Sequence, residues 1–553
     1  MKKIIPVFLA ASMIAATLCA GCNRPVDNGS GEMVNQTEYE APYTIGKSDA
    51  GKAVLLDRSQ TPAIMLSGLL RTDLLANADF MESEETEDYF AIAKETGMNT
   101  LEISVMWSQV EPTYGNYEFG DLKNYLDFAK KYDLKLNLEW YGSFTDGEFH
   151  SANVPSYVSR DTQTYPVLLD MLDYANYGRL RFMDWSNEAL LTRESRAIYE
   201  MMNYVYEWNR ENDGYDPVIM VQIGQGVDRF ARWRIDGYKV KKADGSAFTQ
   251  DEAWGMARTY LDCVAKGVKY SKYKAITRVE FCEQNAVVNY VRNIEESEYI
   301  DVVCPTYLHE ISSTKNAFKS FTDEYEDMVV MNAENWASDI NHKQALATFG
   351  MGGAGYVSYQ LSNPVYYPES PNGALYKRYN KDGATLAEKF VQKNTRAQDT
   401  KTIYTALQKA FVPVANAPRS CFATLGLNNL LNSKPEGERI QKIYFNNGLL
   451  LSYSNPLNSL GFAVYDSNYL YVYSTHNSTL DIDNCSITVG QHGYFGKDGE
   501  WVNEGNVTLA NNTRLSIEAG KIYRVRISSI SELPSAAELK AGNYLTPLDS
   551  IRG

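Results

Sequence analysis

The sequence predicts a (β/α)8 barrel followed by an all-β sandwich, and three features lead there. Between about residues 60 and 365, short apolar runs alternate eight times with helical patterns. Such alternation marks a parallel sheet covered by helices. No glycine-rich phosphate turn follows an early run, which sets aside the doubly wound open sheet, the other fold built this way. Beyond about residue 400 the texture changes to short alternating strands parted by Asn-Gly, Asp-Ser and Gly turns, the pattern of a sandwich.

Taken in order, the expected barrel strands are Ala63–Leu69, Thr100–Val105, Lys135–Trp140, Ile219–Ile223, Ile276–Phe281, Asp301–Pro305, Met328–Met331 and Ala354–Tyr359. The helices between them are legible in EETEDYFAIAKETG (84–97) and DLKNYLDFAKKYDL (121–134). In both, apolar residues recur at three and four, and a Gly or Asp-Leu closes the helix. The barrel is expected over 46–400 and the sandwich over 405–553. The sandwich strands are carried by KIYFNNGLLLSYSN, GFAVYDSNYLYVYST and the segments after them. At 553 residues the chain is long enough for both domains.

The first 22 residues read as an export signal: Lys2-Lys3, an apolar run from Ile4 to Leu18, then Ala20-Gly21-Cys22. The run is shorter than a confident membrane span. It resembles a bacterial lipoprotein signal, with Cys19 standing where that motif usually has Leu. The resemblance implies lipidation of Cys22, an exported chain, and contact with a membrane only through that lipid; ordinary secretion is the alternative. Residues 23–45 are polar and read as a tether. The other cysteines, Cys263, Cys282, Cys304, Cys421 and Cys485, are odd in number and widely spaced, so free buried thiols are expected.

A net charge of −16 argues against a nucleic-acid or anionic-membrane surface, which would gather Lys and Arg. Forty tyrosines and eight tryptophans supply flat amphipathic rings that can stack on sugars, although most such rings pack cores. His150, His309, His342, His476 and His492 lack ligand spacing, and no Cys-x-x-Cys occurs, so no metal or cofactor is expected.

Trp107-x-x-Val-Glu-Pro-x-x-Gly-x-Tyr-x-Phe119 resembles the second-strand signature of glycoside hydrolase families 35 and 42, retaining β-galactosidases built on a (β/α)8 barrel. GEFHSANVPSYV (147–158) resembles a family 35 segment, with Glu148, Phe149 and Pro155 on its Glu, Trp and Pro. PVIMVQI (217–223) is similar to that family's fourth strand. Retaining hydrolysis needs two carboxyls about 5–5.5 Å apart, a nucleophile and a general acid. The resemblance places the nucleophile on Glu334, in DMVVMNAENWAS (327–338), and an orienting tyrosine on Tyr307. Strand-end residues Trp107, Trp140, Tyr141, Glu148, Gln225 and Trp336 are the expected carbohydrate contacts.

The acid is where the resemblance breaks. The family's Glu-Asn-Glu falls on Gly224, Gln225 and Gly226, and neither register supplies a carboxyl. Asp228 or Glu283 could reach back as a displaced acid. Otherwise the site is degenerate and captures glycan without cutting it. A third reading gives the function to the sandwich and leaves the barrel as scaffold.

Overall fold

The computed structural model describes residues 33–72, 83–145, 153–173, 178–226, 240–281, 297–306, 310–324, 328–363, 374–379, 381, 383–427 and 429–551. The fold is the expected one: a (β/α)8 barrel sheet, then antiparallel sheets. The barrel strands are β1 (Met65–Leu70), β2 (Thr100–Met106), β3 (Lys135–Thr145), β4 (Val218–Gln225), β5 (Ile276–Phe281), β6 (Val302–Pro305), β7 (Asn332–Trp336) and β8 (Gly355–Tyr359). They form one eight-stranded sheet in the order β6-β5-β4-β3-β2-β1-β8-β7. Described helices include α1 (Ser83–Glu95), α2 (Gly120–Tyr132), α3 (Glu188–Glu211), α4 (Gln250–Tyr270), α5 (Ile311–Glu324), α6 (Asn341–Gly350) and α7 (Arg396–Lys409).

By contacts the chain forms two compact units. One holds Leu69–Ala91 and Thr100–Thr306; the other holds Tyr43–Gly68, Ile92–Asn99 and the chain from Tyr307 onward. In the first unit β2 to β6 pair in parallel, with Thr100 opposite Lys135 and Met106 opposite Tyr141. All seven residues of β2 and all eight of β4 are buried, as in a sheet covered on both faces. Helix α3 buries a long stripe that includes Leu190, Ala197, Ile198, Met201, Met202 and Val205. An antiparallel hairpin, Val167–Asp173 with Gly178–Met183, lies between β3 and α3 and was not expected from the sequence.

The second unit pairs β7 with β8 and β8 with β1 and carries the sandwich. Six antiparallel strands, Phe422–Leu425, Gly461–Asp466, Tyr469–Ser474, Ile522–Ile530, Cys485–Phe495 and Trp501–Asn506, make one sheet. Four more, Ile440–Tyr444, Leu450–Ser454, Ser478–Asp483 and Arg514–Ile517, make the other. Leu451, Tyr453, Val472, Leu480, Ile482 and Val525 belong to one fully buried core cluster. The Asp-Ser turn is a tight one: Ser467 and Asn468 have φ of 48° and 66°, the backbone that matches the twist of a two-residue hairpin.

Two expectations are corrected. The continuous seventh strand is Asn332–Trp336, just beyond the expected Met328–Met331; Val329–Met331 are buried, and of them Val330 makes a single bridge, its carbonyl accepting the Ala354 N–H at 2.8 Å. Cys263 is in a disulfide, although free thiols were expected. Cys304, Cys421 and Cys485 are free, so its partner lies outside the described residues. Spacing cannot reveal a pair that the fold brings together. Among the described residues, no helix is long and apolar enough to cross a membrane.

Candidate active site

In a strand, residues two apart share a face. That parity gathers a charged interior on β2 to β5: Glu102 and Ser104, then Asn137, Glu139 and Tyr141, then Gln222, then Arg278 and Glu280, all buried. The Arg278 guanidinium joins three strands. Its Nη1 donates to Glu102 at 3.1 Å and its Nε to Gln222 at 2.9 Å, and Nη2 lies 3.5 Å from Glu139. Burying one cation and two carboxylates is tolerated because they face one another with hydrogen bonds.

Glu280 lies one alternation further along β5 than Arg278. Its Oε1 accepts the backbone N–H of Gly226 at 2.9 Å, so a buried carboxylate sits against the tip of β4. Sequence reasoning missed it. The available signal was ITRVEF itself, where Arg278 and Glu280 alternate within a run otherwise fit for a buried strand. Two further strands carry an interior glutamate in the same way, Glu102 in TLEISVM and Glu139 in KLNLEWYGSFT.

The two glycines at the end of β4 have an unusual backbone. Gly224 and Gly226 have φ of 67° and 60°, in the left-handed region, while Gln225 between them is buried. A side chain at either glycine costs about 1–2 kcal/mol from Cβ crowding. Replacing Gly226 by alanine is therefore expected to lower stability by about that amount, read as a reduced denaturant midpoint at unchanged slope.

Trp107, Trp140 and Tyr141 are all fully buried. Trp107 opens the turn after β2 and donates its indole N–H to Glu111 at 3.2 Å. Glu111 also accepts Gly115 N–H at 2.8 Å and is ion-paired with Arg193 of α3. The Trp–Glu–Gly spacing of the motif is thus a closed local circuit that shapes the loop after β2. Trp140 and Tyr141 are consecutive and point to opposite faces. Tyr141 shares Glu139's face, with the Arg71 guanidinium 5.8 Å from its ring centroid. Trp140 turns toward α3, where its indole donates to Glu194 at 2.9 Å.

Glu194 anchors the end of β3 from behind. It accepts Ser143 Oγ at 2.5 Å and Tyr260 OH at 2.5 Å as well as Trp140, and a Cβ on Gly142 would overlap its carboxylate. Burial holds its carboxyl above the usual range, against the hydrogen bonds that favour the charge. A carboxyl raised on folding lends stability below its unfolded pKa and loses it as pH rises through the folded one. Relative to wild type, Glu194→Gln should therefore gain stability as pH climbs from the ordinary carboxylate range, a trend that thermal melts across pH would read.

In the second unit, Glu334 sits inside β7, fully buried, with φ of 48°. The pairing with β8 slips between Asn332 and Asn335, so Glu334 occupies a bulge. Asn332 is tied to α6 by a 3.1 Å bond from Nδ2 to Thr348 Oγ1. Trp336 is half-buried, opposite Tyr359. A non-glycine residue at positive φ is uncommon and costs of order 1 kcal/mol or more. Bulges recur beside active sites because they re-aim one side chain. Glu148, Asp228, Glu283, Tyr307 and Cys22 lie outside the described residues. No group of three His, Cys, Asp or Glu that could hold a metal occurs among the described residues.

The fold defines a (β/α)8-barrel protein whose strands carry buried carboxylates, with a sandwich following. No family model matches the chain, and no curated protein matches its sequence. Solved structures do resemble it at low identity. A GH30 endoxylanase from Clostridium papyrosolvens C71 aligns with TM-score 0.41 and 10% identity, over 84% of this chain and 97% of that one. The exo-β-1,4-mannosidase Op5Man5 from Opitutaceae bacterium strain TAV5 gives 0.44 and 13%, over 66% and 63%. The AHE enzyme from Alicyclobacillus herbarius gives 0.40 and 10%, over 61% and 96%. None of the three is named a β-galactosidase, and the barrel assignment rests on the sheet itself.

Proposed function

We propose that this chain is an exported, lipid-anchored glycoside hydrolase-like protein of retaining type, acting on polysaccharide-derived glycans with β-galactosyl or similar linkages. Glu334 is the nucleophile. The observation that carries the proposal is its backbone: a fully buried carboxylate held in a left-handed bulge of β7. The acid/base has left β4, and the candidates are Asp228, Glu283 and, with a carboxylate already against the β4 tip, Glu280. Carbohydrate contacts fall to Trp107, Tyr141, Glu148, Gln225, Tyr307 and Trp336, with Trp140 bracing the end of β3. Lipidation at Cys22 anchors the chain outside the cytoplasm, in the periplasm or at the cell surface. A disulfide at Cys263 suits such an oxidising compartment.

The acid is identified by a leaving-group series. With a good aryl leaving group, loss of the acid matters little to its departure; with a poor one it costs about 10²–10⁴-fold. Among Glu280→Gln, Asp228→Asn and Glu283→Gln, one should steepen this dependence and be rescued by azide as the β-glycosyl azide. Three flat profiles would remove all three candidates.

A second reading, glycan capture without turnover, is favoured by the two left-handed glycines that keep β4 free of an acid. Calorimetric binding of a β-galacto-oligosaccharide with no product from it would select capture; rapid product would exclude it.

A further inference from the structure

A cleft of about 430 Å³ lies in the second unit, where helices α6 and α7 meet loops of the sandwich. His342, Lys343 and Asp399 line it from the helices; Asn458, Thr475 and His476 line it from the sandwich. This residue set shares nothing with the site built on β7.

The cleft has a feature that an idle crevice lacks. His342 is only 8% exposed, and its Nδ1 is buried with no hydrogen-bond partner. A buried imidazole nitrogen without a partner is costly and is normally satisfied by protein, water or ligand. Burial pushes His342 down to about 4, the nearby Asp399 and Asp339 carboxylates and the Lys343 ammonium acting in opposite senses. The ring is therefore neutral at physiological pH, one nitrogen donating and the other accepting.

The remaining lining selects a ligand class. Charge nearly cancels: Asp339 is held by Arg396 at 2.6 Å, and Asp399 and Lys343 both line the cleft. Neither a free anion nor a cation gains from such a balance, and no metal-holding trio occurs among the described residues. Among the described residues the lining offers no aromatic ring apart from the two imidazoles. What it offers is a dense set of donors and acceptors: two imidazoles, amides, hydroxyls, two carboxylates and an ammonium. The matching molecule is neutral and carries many hydroxyls, and the volume suits a small saccharide.

We infer that this cleft is a second carbohydrate-binding site, seating one or two sugar units of a glycan with His342 Nδ1 hydrogen-bonded to a sugar hydroxyl. It is independent of whether Glu334 is a nucleophile. Held on such a site, a polysaccharide gains effective concentration at the chain without any change in the barrel.

The test uses the five histidine rings as reporters. Long-range ¹H–¹⁵N spectra of the full mature chain are recorded with millimolar lactose, xylobiose, mannobiose and cellobiose, and with sulfate and acetate. The expected result is a saturable shift of the His342 and His476 nitrogens with at least one disaccharide, retained in Glu334→Ala. Asn458→Gly and His476→Ala keep the His342 reporter and should each weaken that affinity about tenfold, one lost hydrogen bond's worth. Shifts with sulfate or acetate alone would overturn the assignment to a neutral sugar. No His342 shift with any disaccharide would overturn the site itself.

Discussion

With Glu334 as the proposed nucleophile, Glu334→Ala is expected to abolish turnover of an aryl β-galactoside, with a loss on the order of 10⁴-fold or more, because the covalent intermediate would no longer have an acceptor. The side chain is fully buried and its backbone is left-handed, so alanine keeps the strain while deleting the carboxylate. Folding should be little altered, and the loss should fall on chemistry. Azide supplies the distinguishing readout. Attacking from the face that Glu334 vacates, it displaces the aryl group and leaves an α-glycosyl azide, whereas rescue of a missing acid/base yields the β-product. A variant that retains full hydrolysis, or gives the β-azide, would remove Glu334 from the nucleophile role.

Arg278→Met is the largest expected loss of stability. It is fully buried and bonded to Glu102 and Gln222, with Glu139 3.5 Å away. Methionine nearly keeps the volume and removes the charge, leaving two carboxylates buried among the strands without their cation. Removing one partner of a buried pair costs about 3–5 kcal/mol. Adding Glu102→Gln to Arg278→Met should recover part of that, since one orphaned charge is then gone. Denaturant melts followed by tryptophan fluorescence measure both. A cost below about 1 kcal/mol, the range of exposed pairs, would mean that the network is wetter than its burial implies.

Much of the architecture was legible because period and punctuation are local properties. Thr100–Val105 and Ile276–Phe281 were placed almost to the residue by short runs rich in apolar and β-branched residues, and Asp133 closes α2 at φ 52° where Asp-Leu marked a stop. The seventh strand moved because its paired part, Asn332–Trp336, is polar and buried, and hydrophobicity marks the approach to it instead. The disulfide at Cys263 and the Arg278–Glu102–Gln222 network were out of reach for a different reason. The Arg278 bonds join residues 56 and 176 positions apart, and only the fold brings such pairs, or a pair of cysteines, together.

The candidate site was read from motifs alone, and the structure adds geometry that motifs do not carry. Glu334 was singled out through a motif, but its left-handed backbone could not be read. The glycines of β4 showed in the sequence as a missing acid, and the structure adds that their conformation resists a replacement. Strand parity alone separates Trp140 from Tyr141, since neighbours in β3 face opposite sides, and the indole bond to Glu194 follows from that. Glu280 went unread although its strand was placed, because its bond to the Gly226 N–H joins residues 54 positions apart.

The central claim is tested most directly by trapping. The mature chain is incubated with 2-deoxy-2-fluoro glycosyl fluorides of galactose, xylose, mannose and glucose, digested, and mapped by mass spectrometry. The account predicts one fluorosugar ester, on the peptide containing Glu334, with inactivation in step with labelling. Turnover of a glycoside with no label on Glu334, or a label on another carboxyl, would contradict it.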